Sequence, residues 1–241
     1  MLSIILPSYK GSDILSRNLP LLVEYLNKKN IGHEIIVVDD GSDDGGATQH
    51  VAITNNCIFL QNERNMGKGA AVRNGMLHAK GEYRIFTDAD IPFEFDALEQ
   101  FLRYLDFKEF DVVIGDRTLP ESAYFGEISK TRKFSSNLFS FLVGRFVTGG
   151  MFDTQCGLKG FKAAVAEDLF SVSRVNGFAF DVELLYVALK RNYDVKRLPV
   201  RLRTNETSTI RLAKEGIKMV ADILTLKLNH IRGKYKERNT A

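Results

Sequence analysis

Residues 83–90 read YRIFTDAD: an apolar, aromatic run that ends abruptly in Thr87, Asp88, Ala89 and Asp90. Such a run reads as a buried strand over residues 83–87. Two carboxylates one residue apart at the end of a buried strand are costly unless something cationic neutralises them. Hard divalent cations take oxygen ligands, and Mg²⁺ commonly uses one or two carboxylates together with substrate phosphates. The plainer alternative for so short a motif is a solvated turn after the strand. The surrounding chain decides between the two.

Outward from this stretch, further apolar runs of strand type lie at residues 2–7, 34–39 (EIIVVD), 57–60, 111–115 (DVVIG) and 195–200. Between them, residues 13–29 carry Ile14, Leu19, Leu22, Val23 and Leu26 at helical spacing. Residues 66–79 and 184–191 also read as helix. Strand alternating with helix predicts an α/β fold whose mostly parallel central sheet is flanked by helices. In open sheets of this kind ligands bind outside the carboxyl ends of the strands. Those ends here are Pro7-Ser8-Tyr9, Asp39-Asp40, Asp88-Ala89-Asp90 and Asp116-Arg117. One sheet edge therefore gathers carboxylates, an aromatic ring and an arginine, and that edge is the expected site.

Residues 65–71 (NMGKGAA) open a helix with glycines that let backbone N–H groups approach a phosphate, and Lys68 adds charge. A tight loop and helix cap is the alternative. A dinucleotide fingerprint requires G-x-G-x-x-G directly after the first strand; PSYKGS stands there instead, which argues against an NAD-type site. Residues 131–147 (TRKFSSNLFSFLVGRFV) read as a helix, either core-packed or facing lipid with its basic residues. Residues 153–161 (DTQCGLKGF) are too polar and glycine-rich for a core strand. In GFAFDVE, Asp181 and Glu183 enter a helix, where they serve either a site or the helix dipole. Residues 201–211 form a polar loop, a candidate lid.

Residues 214–231 are amphipathic, with Ile217, Val220, Ile223, Leu224, Leu228 and Ile231 to one side, and a basic tail follows. This end suits either an anionic lipid surface or packing on the domain. Residues 1–212 are expected to form the catalytic domain and residues 213–241 the amphipathic basic end.

The net charge of +3, with 44% hydrophobic and 26% charged residues, is that of an ordinary globular protein and gives no support to nucleic-acid binding. Cys57 and Cys156 match no zinc or redox spacing, and a reduced, cytosolic compartment is the simpler expectation. No signal peptide is read at the start, and no window is apolar enough to span a bilayer.

In order, SIILPSY, EIIVVDDGS, NMGKGAAVRNGMLHAKGEY, TDAD, DTQCGLKGF and GFAFDVELL resemble the family 2 glycosyltransferases of GT-A fold. The branch they are most similar to is the dolichyl- or polyprenyl-phosphate glucosyl- and mannosyltransferases, over residues 2–212. The resemblance implies inverting transfer of a hexose, with UDP-glucose the favoured donor, from a nucleotide-diphospho-sugar to a lipid phosphate. It implies a peripheral enzyme on the cytoplasmic face of a membrane. By the same resemblance Pro7, Tyr9 and Asp39 hold the base and ribose. Asp88 touches ribose or metal, and Asp90 ligates Mg²⁺ or Mn²⁺. Arg117 and Arg132 meet donor and acceptor phosphates, while DTQCGLK and GFAFDVE, which carry Asp153 and Asp181, shape the sugar and acceptor pockets. A phosphate acceptor is already largely ionised near neutral pH and needs no base. A hydroxyl acceptor needs one, for which Asp153 is the first choice and Asp181 the second.

Three departures stand out: Lys10-Gly11 where the family usually has Asn-Glu, Pro92 where a polar side chain is frequent, and Asp116 where a small serine is common. The alternatives are a family 2 transferase acting on a glycan hydroxyl, and a non-catalytic nucleotide-sugar-binding scaffold.

Overall fold

A computed structural model gives the fold of the chain and describes residues 1–123, 153–154, 156–203 and 212–235. The expected helix at 131–147, with Arg132, and nearly all of the candidate lid at 201–211 lie outside the described residues. The described chain runs β1 (Leu2–Ser8), α1 (Ser12–Lys28), β2 (His33–Asp39), α2 (Ala47–Thr54), β3 (Ile58–Gln61), α3 (Lys68–His78) and β4 (Tyr83–Phe86). It continues with α4 (Asp96–Asp106), β5 (Val112–Asp116), β6 (Lys159–Lys162), α5 (Ala163–Val172), α6 (Phe180–Lys190), β7 (Val195–Pro199) and α7 (Leu212–Ile231).

The strands form one 7-stranded sheet in the order β3-β2-β1-β4-β6-β5-β7. β1, β2, β3 and β4 pair in parallel, as do β5 and β7, whereas β6 is antiparallel to both β4 and β5. The sheet is buried on both faces, which explains why its strands read as continuous apolar runs. One face carries Leu15, Leu19 and Leu22 of α1 with Leu98, Phe101 and Leu105 of α4, packed on Ile4 and Leu6. The other carries Val72 and Met76 of α3 with α5, α6 and the buried Leu226 of α7, packed on Ile5 and Phe86.

β6 corrects the sequence expectation. Its four residues, KGFK, lie inside the segment read as too polar for a core strand, yet the first three are buried. Lys159 is wholly buried because Asp181 neutralises it at 2.6 Å and the Cys156 carbonyl accepts a second hydrogen bond at 2.7 Å. Gly160 adds no bulk between Phe101, Leu105 and Ile85, where even a Cβ would come within 3.1 Å of a side chain. The helices α2, α4 and α5 are likewise additions to the sequence reading.

Candidate active site

The register explains how one sheet edge collects the polar residues. Ser8 lies opposite Asp39, and Asp39 opposite Gln61, so three parallel strands end together. β4 ends one residue before Thr87, with Phe86 opposite Lys159. Because β6 runs antiparallel, it brings its beginning, not its end, to this edge. The turn before it, bearing Asp153, Cys156 and Gly157, arrives with it. Asp116 and Arg117 complete the edge at the end of β5.

Asp88 and Asp90 sit just past β4. The Lys68 ammonium, from the first residue of α3, contacts Asp88 Oδ1. On the other side Gly157 packs so closely that a Cβ there would lie 2.2 Å from Asp88 Oδ2. Any larger residue at 157 would displace this carboxylate. Ile91 follows at φ 41°, a region that a β-branched residue rarely occupies. Its buried side chain and the 2.9 Å hydrogen bond from its N–H to the Asp88 carbonyl keep it there. Backbone strain of this kind clusters at functional sites. Burial draws the Lys68 pKa down, but the facing carboxylates of Asp88, Asp181 and Asp90 outweigh it and hold the ammonium above its ordinary value.

Around this pair lie further neutralised charges. Arg117 grips Asp153 with two prongs, Nε at 2.9 Å and Nη2 at 2.7 Å, and its backbone N–H donates at 2.7 Å to the same carboxylate. Burial alone would raise the Asp153 pKa; the Arg117 contacts overcome it and hold the carboxyl below its ordinary value. A carboxylate so engaged is a weak proton acceptor. Asp181 is the reverse case: burial dominates and pushes its pKa up, despite Lys159. Asp116 brings no loose negative charge, because Arg197 Nε meets it at 2.6 Å.

The nucleotide side of the edge is built from Asp39, Asp40 and the glycine loop. Asp39 accepts from Ser42 N at 2.9 Å and Gln61 Nε2 at 3.1 Å. Pro7 is buried within β1, and Tyr9 stands half exposed just beyond it. Asp40, read from sequence only as part of a polar strand end, fixes the loop. It accepts from Met66 N at 3.0 Å, Gly67 N at 2.7 Å and Asn62 Nδ2 at 2.8 Å. Gly67 has φ 102°, and a Cβ there would come within 2.5 Å of the Asn176 carbonyl, so only glycine suits the turn that launches Lys68. Asp40→Ala should destabilise the protein by about 1–3 kcal/mol by stranding these donors. It should weaken donor binding as well. Urea denaturation and donor titration check both expectations.

The structure thus brings together Asp88, Asp90, Lys68, Asp181, Asp153 and Arg117, with Pro7, Tyr9 and Asp39 along the same edge. Sequence reasoning placed Asp40 at the expected edge and Gly157 and Lys159 in the segment DTQCGLKGF, but gave none of the three an individual role. The signals available for them, an acid doublet and glycine-lysine pairs, do not separate anchors from solvated residues. Among the described residues no cluster of three or more His, Cys, Asp or Glu side chains could hold a metal. Two carboxylates one residue apart are nonetheless the oxygen donors that suit a hard divalent cation. The Lys68 ammonium is the cation that stands against Asp88 among the described residues.

The family model for glycosyl transferase family 2 matches residues 3–170. A dolichyl-phosphate beta-glucosyltransferase of Dictyostelium discoideum is 30% identical over 98% of this chain and 76% of its own length. Its human namesake is 29% identical over 99% of this chain and 78% of its own length. Among solved structures, glucosyl-3-phosphoglycerate synthase of Mycobacterium tuberculosis, crystallised with Mn²⁺, UDP and glucosyl-3-phosphoglycerate, matches with a TM-score of 0.69 at 17% identity. That match covers 94% of this chain and 79% of the other. Mannosyl-3-phosphoglycerate synthase of Rubrobacter xylanophilus gives a TM-score of 0.67 at 18% identity over 99% and 76% of the two chains. At such identities the structural likeness carries the fold alone, the GT-A arrangement of a central sheet flanked by helices.

Proposed function

This chain belongs to glycosyltransferase family 2 and is a glycosyltransferase, and from that premise we propose that it moves glucose from UDP-glucose to a dolichyl or related polyprenyl phosphate, with inversion. The observation that carries the substrate class is the match, over nearly the whole chain, to relatives named for that transfer. The site's chemistry supports it. Pro7, Tyr9 and Asp39 hold base and ribose. Asp88 and Asp90 are the residues that would hold Mg²⁺ or Mn²⁺. Lys68, Arg117 and Arg132 meet phosphate oxygens. Asp153 and Asp181 line the sugar and acceptor side.

When bound, the cation supplies positive charge where the departing UDP becomes negative. Lys68 and Arg117 would add positive charge along the same sheet edge. The acceptor phosphate oxygen forms its bond to the anomeric carbon as the bond from that carbon to UDP breaks. No proton must be removed, since the acceptor is already largely ionised. The occupied state of the two base candidates, Asp153 by Arg117 and Asp181 by Lys159, favours this acceptor over a hydroxyl.

The acceptor's lipid tail calls for a membrane surface. No helix among the described residues is long and apolar enough to cross one. Helix α7 turns Leu226 into the core but leaves Leu224, Leu228 and Ile231 exposed at 60%, 50% and 80%, beside exposed Lys227, Arg232 and Lys234. An apolar strip edged with basic residues suits the surface of anionic lipid. We assign residues 1–212 to catalysis and residues 213–241 to this peripheral contact, on the cytoplasmic face.

Calorimetric titration with UDP-glucose and GDP-mannose, each with and without Mn²⁺, tests the donor. The expected result is metal-dependent binding of UDP-glucose. Equal or tighter binding of GDP-mannose would overturn the donor assignment.

A further inference from the structure

We propose that Glu183 is a positioning residue for donor binding: through the turn at residues 173–176 it fixes the start of α3, and with it Lys68, and it is itself held by Tyr235, just beyond α7. The inference rests on the reading of Lys68 as a residue that meets the donor's phosphates. It deepens that reading by naming what holds the lysine's backbone in place.

Three sets of contacts carry it. The first flanks Lys68. On one side the N–H groups of Met66 and Gly67 donate to Asp40; on the other the N–H of Gly69 donates to the Asn176 carbonyl at 2.8 Å. The N–H of Ala70 donates to the Gly67 carbonyl at 3.0 Å and lies 3.4 Å from that of Asn176. These four N–H groups are occupied, so the loop meets a phosphate chiefly through the Lys68 ammonium and not through a backbone cradle. The second set fastens the turn to α3. Arg73, one helical turn beyond Gly69, donates to the Ser173 carbonyl at 3.1 Å and to Asn176 Oδ1 at 2.7 Å.

The third set fastens the turn from behind. Glu183, in the first turn of α6, is wholly buried, and its carboxylate accepts from the N–H groups of Arg174 and Val175, each at 2.9 Å. The hydroxyl of Tyr235, a residue 8% exposed, donates to the same carboxylate at 2.5 Å. A buried carboxylate is tolerated where donors of this kind surround it, and losing one is costly. Glu183 does not itself reach the glycine loop; it acts through one turn of backbone. Tyr235 lies beyond Ile231, the last residue of α7. The path therefore joins the end of the chain that bears the exposed apolar strip to the segment that carries Lys68. Energetic coupling between distant positions is carried by contiguous hydrogen-bonded networks of this type. Slackening either end of the path shifts the Asn176 carbonyl relative to Gly69, and Lys68 moves with it.

The test reads donor affinity and needs no turnover. UDP binding in the presence of Mn²⁺ is measured by calorimetry, well below each thermal midpoint, for the unaltered protein, Glu183→Gln, Tyr235→Phe, Lys68→Met and the double variant Tyr235→Phe with Lys68→Met. Glu183→Gln sets an amide N–H₂ among N–H donors. Tyr235→Phe removes a hydroxyl alone and keeps the test decisive should the glutamine variant not fold. Both should weaken UDP binding by about fivefold, within the range that residues along such a network exert on a distant site. In the double variant the Tyr235 substitution should add little to the loss caused by Lys68→Met, because it acts through that lysine. A purely structural role would leave UDP affinity unchanged in folded Tyr235→Phe. That result, with Lys68→Met clearly weakened, would overturn the inference, and so would losses that add in full. UDP affinity that is unchanged or tighter in Lys68→Met, or no UDP binding by the unaltered protein, would overturn the reading on which it rests, and the inference with it.

Discussion

Asp90→Ala should abolish sugar transfer, lowering kcat/KM by about 10³-fold or more, while leaving the fold intact. The magnitude follows from what is lost: the group that fixes the charge stabilising the leaving diphosphate, where single preorganised contacts are worth about 10²- to 10³-fold. The fold should survive for a structural reason. Replacing Asp90 leaves the Lys68–Asp88 contact in place, and the buried Ile91 still anchors the turn. Turnover with UDP-glucose and Mn²⁺, together with the circular dichroism spectrum and thermal midpoint, checks both halves. A folded Asp90→Ala protein with near-normal turnover would sink the metal-site assignment.

Lys159→Met should act on stability instead. Methionine fills the space, but Asp181 is left 3% exposed without its cation. Breaking a buried pair from one side costs about 3–5 kcal/mol. The loss also frees the Cys156 carbonyl and loosens the turn that presses Gly157 against Asp88, so activity should fall with it. The effect should depend on pH with a definite sign. Burial holds the Asp181 pKa above its ordinary value even with Lys159 present, and removing the lysine raises it further. A carboxyl raised in the folded state favours folding in its protonated form. Its contribution is present below the unfolded pKa and is lost as pH rises through the folded value. The deficit of Lys159→Met against the unaltered protein should therefore be largest at neutral and alkaline pH and shrink towards acid. Urea unfolding of both proteins across that range measures it. A deficit that grew on acidification would contradict the role given to Asp181.

The same pair marks where the sequence was legible and where it was not. Strands β1, β2, β3, β4, β5 and β7 are signalled by apolar runs, and the polar ends of β1, β2 and β5 and the turn after β4 lie along one sheet edge, as their pattern suggests. Helices α1 and α3 followed from their spacing of apolar and small residues. β6 was hidden because its buried positions are filled by a lysine, a glycine and a phenylalanine, and its burial depends on Asp181 some 22 residues further along the chain. A local pattern does not carry a long-range ion pair. The anchoring role of Asp40 was hidden for a related reason. Its three hydrogen bonds reach residues 62, 66 and 67, whereas in sequence it is one acid in a solvated-looking DDGS turn. Asp88 was recognised as a site residue, but its contact with Lys68 and its crowding by Gly157 join three distant segments that only the sheet register brings together. The exposed strip of α7 was half legible: amphipathicity marked the helix, while the split between Leu226 inside and Leu228 outside required the packing.

The measurement that bears most directly on the transferase reading is product analysis with the unaltered protein. It would be incubated with UDP-[¹⁴C]glucose, Mn²⁺ and vesicles containing dolichyl phosphate, and the lipid extract separated. The expected product is a radiolabelled, mild-acid-labile glucosyl phospholipid that requires the divalent cation and is absent with Asp90→Ala. Label appearing in a glycan hydroxyl acceptor, with none in the lipid phosphate, would contradict it.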